Sequence, residues 1–316
     1  MRSIACGMFA GVVALIGAGT AQARCAEFEV SAADLSVQYD PFVNAMVDRP
    51  FTMRVRRLDP AVRSVRFVLA TGGTGGGTVR VGAGGPAVYE MVWNRDAGRR
   101  VLVAGAEQPN ATNGAVASFE AGPGGDLAVE TFRLRIPPGQ TVTGGSHSQT
   151  FEVRYQCSQG PGEDEPVDLQ IGAQVLLNVQ VPQQISSYVG SFGQRRGTID
   201  FGTLGASAPP RSLSVTVQST VPYQVEMRED RRGLRRGEGD AAVIPYRVRL
   251  SGVEVGDGGQ ISCDGTPMPT GRNHMLEVDL DQHAIAAVPA GRYSDVITLT
   301  FVPRAGLGGG SACSAL

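Results

Sequence analysis

Short runs of alternating apolar and polar residues, cut apart by glycine and proline, decide most of what this chain can fold into. The clearest is Val288-Pro-Ala-Gly-Arg-Tyr-Ser-Asp-Val-Ile-Thr-Leu-Thr-Phe301. After the Pro/Gly turn, Tyr293, Ile297, Leu299 and Phe301 share one face, while Val296, Thr298 and Thr300 share the other. Successive side chains of a strand point to opposite sides, so a period of two packs one face and wets the other. Similar runs recur at Phe51–Leu58, Val65–Leu69, Ala87–Trp93, Glu130–Ile136, Thr150–Cys157, Val175–Val181, Thr198–Leu204, Ser212–Val217, Tyr223–Met227, Ile244–Leu250 and Met275–Leu280. Helical periodicity is hard to find, and 43 glycines and 19 prolines supply the turns. The expected class is all-β, as two tandem immunoglobulin-like sandwiches.

The first residues read as an export signal. Arg2 provides the positive start, Ile4 to Ile16 an apolar core, and Ala21-Gln22-Ala23 the small-x-small cleavage pattern. Cys25 lies near enough to suggest a lipid anchor. That chemistry needs cysteine directly after the cleavage site, and Arg24 intervenes. No later run is long and apolar enough to span a bilayer. Export removes Cys6 and leaves Cys25, Cys157, Cys263 and Cys313. An even number in an oxidising compartment implies two disulfides, for which three connectivities exist. Pairing within each half gives Cys25–Cys157 and Cys263–Cys313. The net charge of −2 gives no field to attract nucleic acid.

Ser158-Gln-Gly-Pro-Gly-Glu-Asp-Glu-Pro166 lacks apolar residues and reads as a linker between domains at 24–157 and 167–316. The halves echo one another. Gln38-Tyr-Asp-Pro-Phe42 corresponds to Asp200-Phe-Gly-Thr-Leu204, and Val88-Tyr-Glu-Met-Val92 to Pro245-Tyr-Arg-Val-Arg249. Phe132–Gly139 corresponds to Glu277–Gly291. Their order is kept, as in a duplication.

Little here suggests catalysis. His147, His274 and His283 sit in polar, loop-like stretches without metal-ligand spacing, and there is no G-x-S-x-G elbow. Gly72–Gly77 lacks the Gly-Lys-Ser/Thr ending of a phosphate loop. No enzyme activity, metal or cofactor is expected. The cluster Arg228–Asp240 mixes both signs and reads as a solvated loop. Trp93, Arg95, Arg99 and Arg100 gather at one strand end, where an indole could stack on a sugar and the arginines could pair with anions; a core role for Trp93 fits as well. An immunoglobulin-like sandwich needs a further strand after Phe301, but Val302–Leu316 is rich in Gly and holds Pro303. Either another chain adds a strand there, or the first strand or the tail covers the edge.

These residues resemble a family. Val288–Phe301 is similar to the closing strand of spore coat protein U domains, the subunits of archaic chaperone–usher fimbriae. Ile199–Leu204, Val221–Val225 and Ile244–Val248 resemble that family's earlier strands in order, and Gln38–Phe42 resembles its "YDPF" element. The resemblance covers most of residues 170–303, and residues 25–157 less closely. It implies an incomplete second domain, held by a periplasmic chaperone, passed to an outer-membrane usher, and completed by a neighbouring pilin's N-terminal strand. Val175, Leu177, Val179 and Val181 would line one side of the groove, and Ile297, Leu299 and Phe301 the other. Because the mature chain enters Cys25 and Phe28 at once, with no donor segment ahead, the resemblance implies a tip subunit displayed on the cell surface. Its first domain would attach to an abiotic surface or glycan and promote biofilm formation. The alternative is a secreted, self-contained coat or carbohydrate-binding protein; a hydrolase is a distant third.

Overall fold

A computed structural model describes residues 24–30, 35–71, 78–80, 86–122, 124–160, 169–205, 208–237, 241–263, 268–304 and 313–315. The export signal, the Gly-rich loops at 72–77 and 82–85 and most of the acidic linker lie outside these. The first half contains β1 (Ala26–Val30), β2 (Ser36–Gln38), β3 (Val47–Arg57), β4 (Ser64–Thr71), β5 (Thr78–Arg80), β6 (Pro86–Val88), β7 (Glu90–Trp93), β8 (Asp96–Arg100), β9 (Leu102–Ala104), β10 (Ala115–Ser118), β11 (Leu127–Ile136), β12 (Gly145–Ser158) and β13 (Gln170–Val181). The second contains β14 (Ile185–Val189), β15 (Arg211–Ser219), β16 (Tyr223–Glu229), β17 (Leu234–Arg235), β18 (Val243–Ile244), β19 (Tyr246–Leu250), β20 (Val253–Val255), β21 (Gln260–Cys263), β22 (Met268–Leu280), helix α1 (Gln282–Ala287), β23 (Ile297–Pro303) and β24 (Cys313–Ala315). Among the described residues no helix is long and apolar enough to cross a membrane.

Alternation makes the first sandwich. On β3, Phe51, Met53 and Val55 are buried while Thr52, Arg54 and Arg56 are exposed. One sheet runs β1-β3-β11-β7-β8; the other runs β10-β4-β12-β13-β2. Their inner faces meet through aromatic rings. Phe51 stacks on Phe132 at 5.2 Å, Phe132 meets Phe67 of the opposite sheet at 6.0 Å, and Phe28 lies 4.8 Å from Tyr155. Burying each such side chain contributes about 1.5–3 kcal/mol. Cys25 and Cys157 join across the two sheets.

The second sandwich repeats this plan. Its sheets run β14-β15-β22-β19-β20 and β23-β16-β21-β24. The order β1-β3-β11-β7-β8 matches the former strand for strand, and β12-β4-β10 matches β23-β16-β21, with the chain order of all the strands preserved. The Cys263–Cys313 disulfide ties β24 to β21.

Two sequence expectations need correction. The domain boundary does not fall at 158–166. Residues 159–169 connect antiparallel neighbours β12 and β13, and β13 belongs to the first sandwich. Loop composition marks solvent exposure, which a hairpin loop and an interdomain linker share. The chain instead changes core between Val181 and Ile185. Nor is Thr198–Leu204 a strand: its apolar side chains Ile199, Phe201 and Leu204 pack on the second core, but the segment joins no ladder.

Candidate functional site

That missing ladder locates the site. In the first sandwich β13 is the closing strand. It runs antiparallel to β12, pairing Val175 with Phe151 and Leu177 with Gln149, and parallel to β2, pairing Val179 with Val37. Beside it Phe151, Val153, Tyr155, Val37 and Tyr39 are all buried. The counterparts in the second sandwich are β23 for β12 and, by the correspondence of Gln38 with Asp200, the segment 198–200 for β2. Among the described residues β23 pairs with β16 alone along its length, from Ile297↔Glu229 to Pro303↔Tyr223, and nothing corresponds to β13. Accordingly Ile297, Leu299 and Phe301 stay half-buried, as do Ile185, Val189, Ile199, Phe201 and Leu204. On the opposite parity, Val296 just before β23 and Val302 on it are exposed. An edge with unpaired backbone groups beside a row of partly covered apolar side chains can accept an extended strand.

The groove side assigned from sequence to Val175, Leu177, Val179 and Val181 is therefore wrong. All four are buried in the first core. They alternate as a groove wall would, but an alternating strand pairs with whichever partner the chain path brings alongside. The half-buried apolar side chains packed on the second core are instead Ile185 and Val189 of β14 and Ile199, Phe201 and Leu204, beside Ile297, Leu299 and Phe301 of β23. The spacing of Ile185, Ser187 and Val189 just after Pro182 was a usable signal.

Asp295 sets the start of β23. Its carboxylate accepts from the backbone N–H of Arg231 at 2.9 Å, Gly233 at 3.0 Å and Val296 at 2.7 Å, and from the Tyr246 hydroxyl at 2.8 Å. Burial, reinforced by this carboxylate, raises the Tyr246 phenol above its usual range. The aspartate thus ties the charged loop to the edge strand. Arg232 of that loop pairs at 2.9 Å with Asp257, in the connection between β20 and β21, so part of the loop's charge is answered from a neighbouring turn. Asp295 is half-buried, so Asp295→Ala should cost about 2 kcal/mol, the lower end for charged hydrogen bonds. Urea unfolding of the second domain measures this; an unchanged midpoint would refute the anchoring role.

The surface candidates of the first domain separate. Trp93 is only 5% exposed, so it offers no stacking face. Its indole N–H donates to Glu130 Oε2 at 2.9 Å, and Arg95 approaches Glu130 Oε1 at 3.1 Å. Arg99 donates to the Ala111 carbonyl at 2.6 Å, and Arg100 pairs with Glu107. Glu130 is the residue that sequence reasoning missed. It follows the inward phase of β11, between Ala128 and Phe132, and is fully buried. Burial raises its pKa above 4.5, opposed by the Trp93 hydrogen bond and the Arg95 charge. A carboxyl whose folded pKa is raised stabilises the fold below its unfolded value, and that contribution is lost as pH rises through the folded value. Glu130→Gln keeps an acceptor for Trp93 and removes the titration. Its unfolding free energy should fall less steeply than that of the parent as pH rises above the ordinary carboxylate range. Equal slopes in chemical denaturation would refute this.

The histidines also depart from expectation. His147 lies on β12 and His283 in α1, while His274, on β22, is 1% exposed. Burial, then the nearby Arg272 charge, lower the His274 pKa to about 4, so the ring is neutral near pH 7.

No family model and no curated protein matches this chain. Some solved structures are loosely similar. One is a chaperone–tip adhesion subunit pre-assembly complex, CsuC-CsuE, from archaic chaperone-usher Csu pili of Acinetobacter baumannii. It is 15% identical, with a TM-score of 0.38, covering 87% of this chain and 99% of that one. The CupB6 tip adhesin from Pseudomonas aeruginosa is 10% identical, with a TM-score of 0.43, covering 88% and 94%. CfaE, the adhesive subunit of CFA/I fimbria of enterotoxigenic Escherichia coli, is 11% identical, with a TM-score of 0.36, covering 88% and 81%.

Proposed function

We propose that this chain is an adhesive subunit of a chaperone–usher pilus, whose second domain is completed by a strand from another protein. One observation carries the reading: β13 closes the first sandwich, and the described residues of the matching second sandwich hold no equivalent. The incoming strand would run antiparallel to β23 and parallel to residues 198–200. During export a periplasmic chaperone would supply it, and after passage through the usher a neighbouring subunit would. The first domain, already closed, needs no such partner and is free to face a surface or glycan, which suits the end of a fibre and attachment in a biofilm.

The test is production of the full chain in a bacterial periplasm with and without a pilus chaperone. The expected result is a soluble complex with the chaperone, and β23 amides that exchange quickly in the unpartnered chain and slowly in the complex. A stable monomer without partner, its β23 amides as protected as those of β12, would overturn the proposal and favour a self-contained secreted protein.

A further inference from the structure

The second core contains a group of side chains that neither strand addition nor packing alone uses. Cys263 on β21 and Cys313 on β24 stand directly opposite each other and form a disulfide. His274 reaches them from β22 in the facing sheet. Its Nδ1 lies 3.8 Å from Cys313 Sγ and 2.7 Å from Ser251 Oγ, while its Nε2 bonds the Tyr223 hydroxyl. The two sulfurs and the ring nitrogen all lie within 4.8 Å of one another. Cys263 and His274 are fully buried and Cys313 is half-buried.

We infer that reduction of this disulfide turns Cys263, Cys313 and His274 into a zinc site. A phosphine supplies two electrons and water two protons, the water oxygen ending on phosphorus as the phosphine oxide, which leaves two thiols; Zn²⁺ then binds both sulfurs as thiolates and releases two protons. Zinc bonds sulfur at about 2.3 Å and imidazole nitrogen at about 2.0–2.1 Å. Ligand atoms about 3.5–4 Å apart satisfy those lengths. The sulfurs need only part after the bond breaks, and Nδ1 already stands close to that distance from Cys313. Ligating histidines ordinarily donate their other ring N–H to a fixed acceptor. With Nε2–H donated to Tyr223, the Nδ1 lone pair faces Ser251 and the sulfurs. Ser251 or water would complete a tetrahedron. Zinc would then hold β24 against β21 in the reduced chain, as the disulfide does in the oxidised one.

Cobalt(II) is the probe, because thiolate ligation gives it charge-transfer and tetrahedral visible bands. The full chain is reduced with a phosphine, near-ultraviolet circular dichroism checks its folding, and cobalt is titrated before displacement by zinc. The expected result is one cobalt per reduced chain, none per oxidised chain, and no thiolate band in Cys263→Ser/Cys313→Ser, which retains Cys25 and Cys157. His274→Gln should weaken zinc binding at least about ten-fold, and Tyr223→Phe, which removes the outer partner, by about ten-fold. The inference is overturned if the reduced chain unfolds, if it shows no thiolate band, if the band survives in the double serine variant, or if His274→Gln leaves the affinity unchanged.

Discussion

A synthetic peptide spanning residues 173–181, added in trans to the full chain, should stabilise the second domain selectively. The peptide copies the strand that already closes a sandwich of the same strand order, with Val175, Leu177, Val179 and Val181 on one face and Gln174, Leu176, Asn178 and Gln180 on the other. Each apolar side chain buried beside Ile297, Leu299 and Phe301 gains about 1.5–3 kcal/mol, and the peptide's backbone pairs with the open edge. Ordering a free peptide offsets much of that, so modest affinity is expected. At a concentration one hundred times its Kd the gain is about 2.7 kcal/mol. For a domain of this size that raises the second thermal midpoint by roughly 10 °C. Exchanging Val175, Val179 and Val181 with Gln174, Asn178 and Gln180 keeps the composition and makes three of the four inward positions polar, and should abolish the effect. Calorimetry reads both arms. Equal shifts would show a merely sticky peptide; no shift from either would show that the edge does not accept a strand.

Replacing Cys25 and Cys157 by serine should cost the first domain about 5 kcal/mol. The pair closes a loop with a sequence separation of 132, long enough to restrict the unfolded chain strongly on a chain-entropy view. It also fastens β1, at the edge of one sheet, to the interior strand β12 of the other. Without it β1 keeps its ladder to β3 and the burial of Ala26 and Phe28. The variant should therefore fold, with its first unfolding midpoint lowered by about 10–20 °C and the second unmoved. A fall of less than about 1 kcal/mol would mean that the reduced unfolded chain is already compact, leaving the bond little entropy to remove. A matching fall in the second transition would mean that the two cores unfold as one unit.

Local pattern accounts for much of the fold. The alternation of Phe51–Leu58, Thr150–Cys157 and Ile297–Phe301 survives in the structure because a strand's inward and outward positions depend on parity alone. Other features needed more than parity. Glu130 follows the inward phase of β11 although carboxylates avoid cores, and it is held there by Trp93 and Arg95, which arrive from a different strand and turn. Trp93 is hidden for the same reason. His274 lies in a polar stretch, yet β22 turns it inward against Tyr223.

The sequence by itself determined that this is a β-protein with cysteines able to pair within each half, and that Ile297, Leu299 and Phe301 form one apolar row. Those are properties of residue type and spacing. Only the tertiary structure decided which strand lies beside which. Val175–Val181 and Ile297–Phe301 have the same local grammar, but the first sits between β12 and β2 and is buried, while the second, among the described residues, pairs with β16 alone. Pairing depends on the path of the chain between elements, and alternation carries no record of that path.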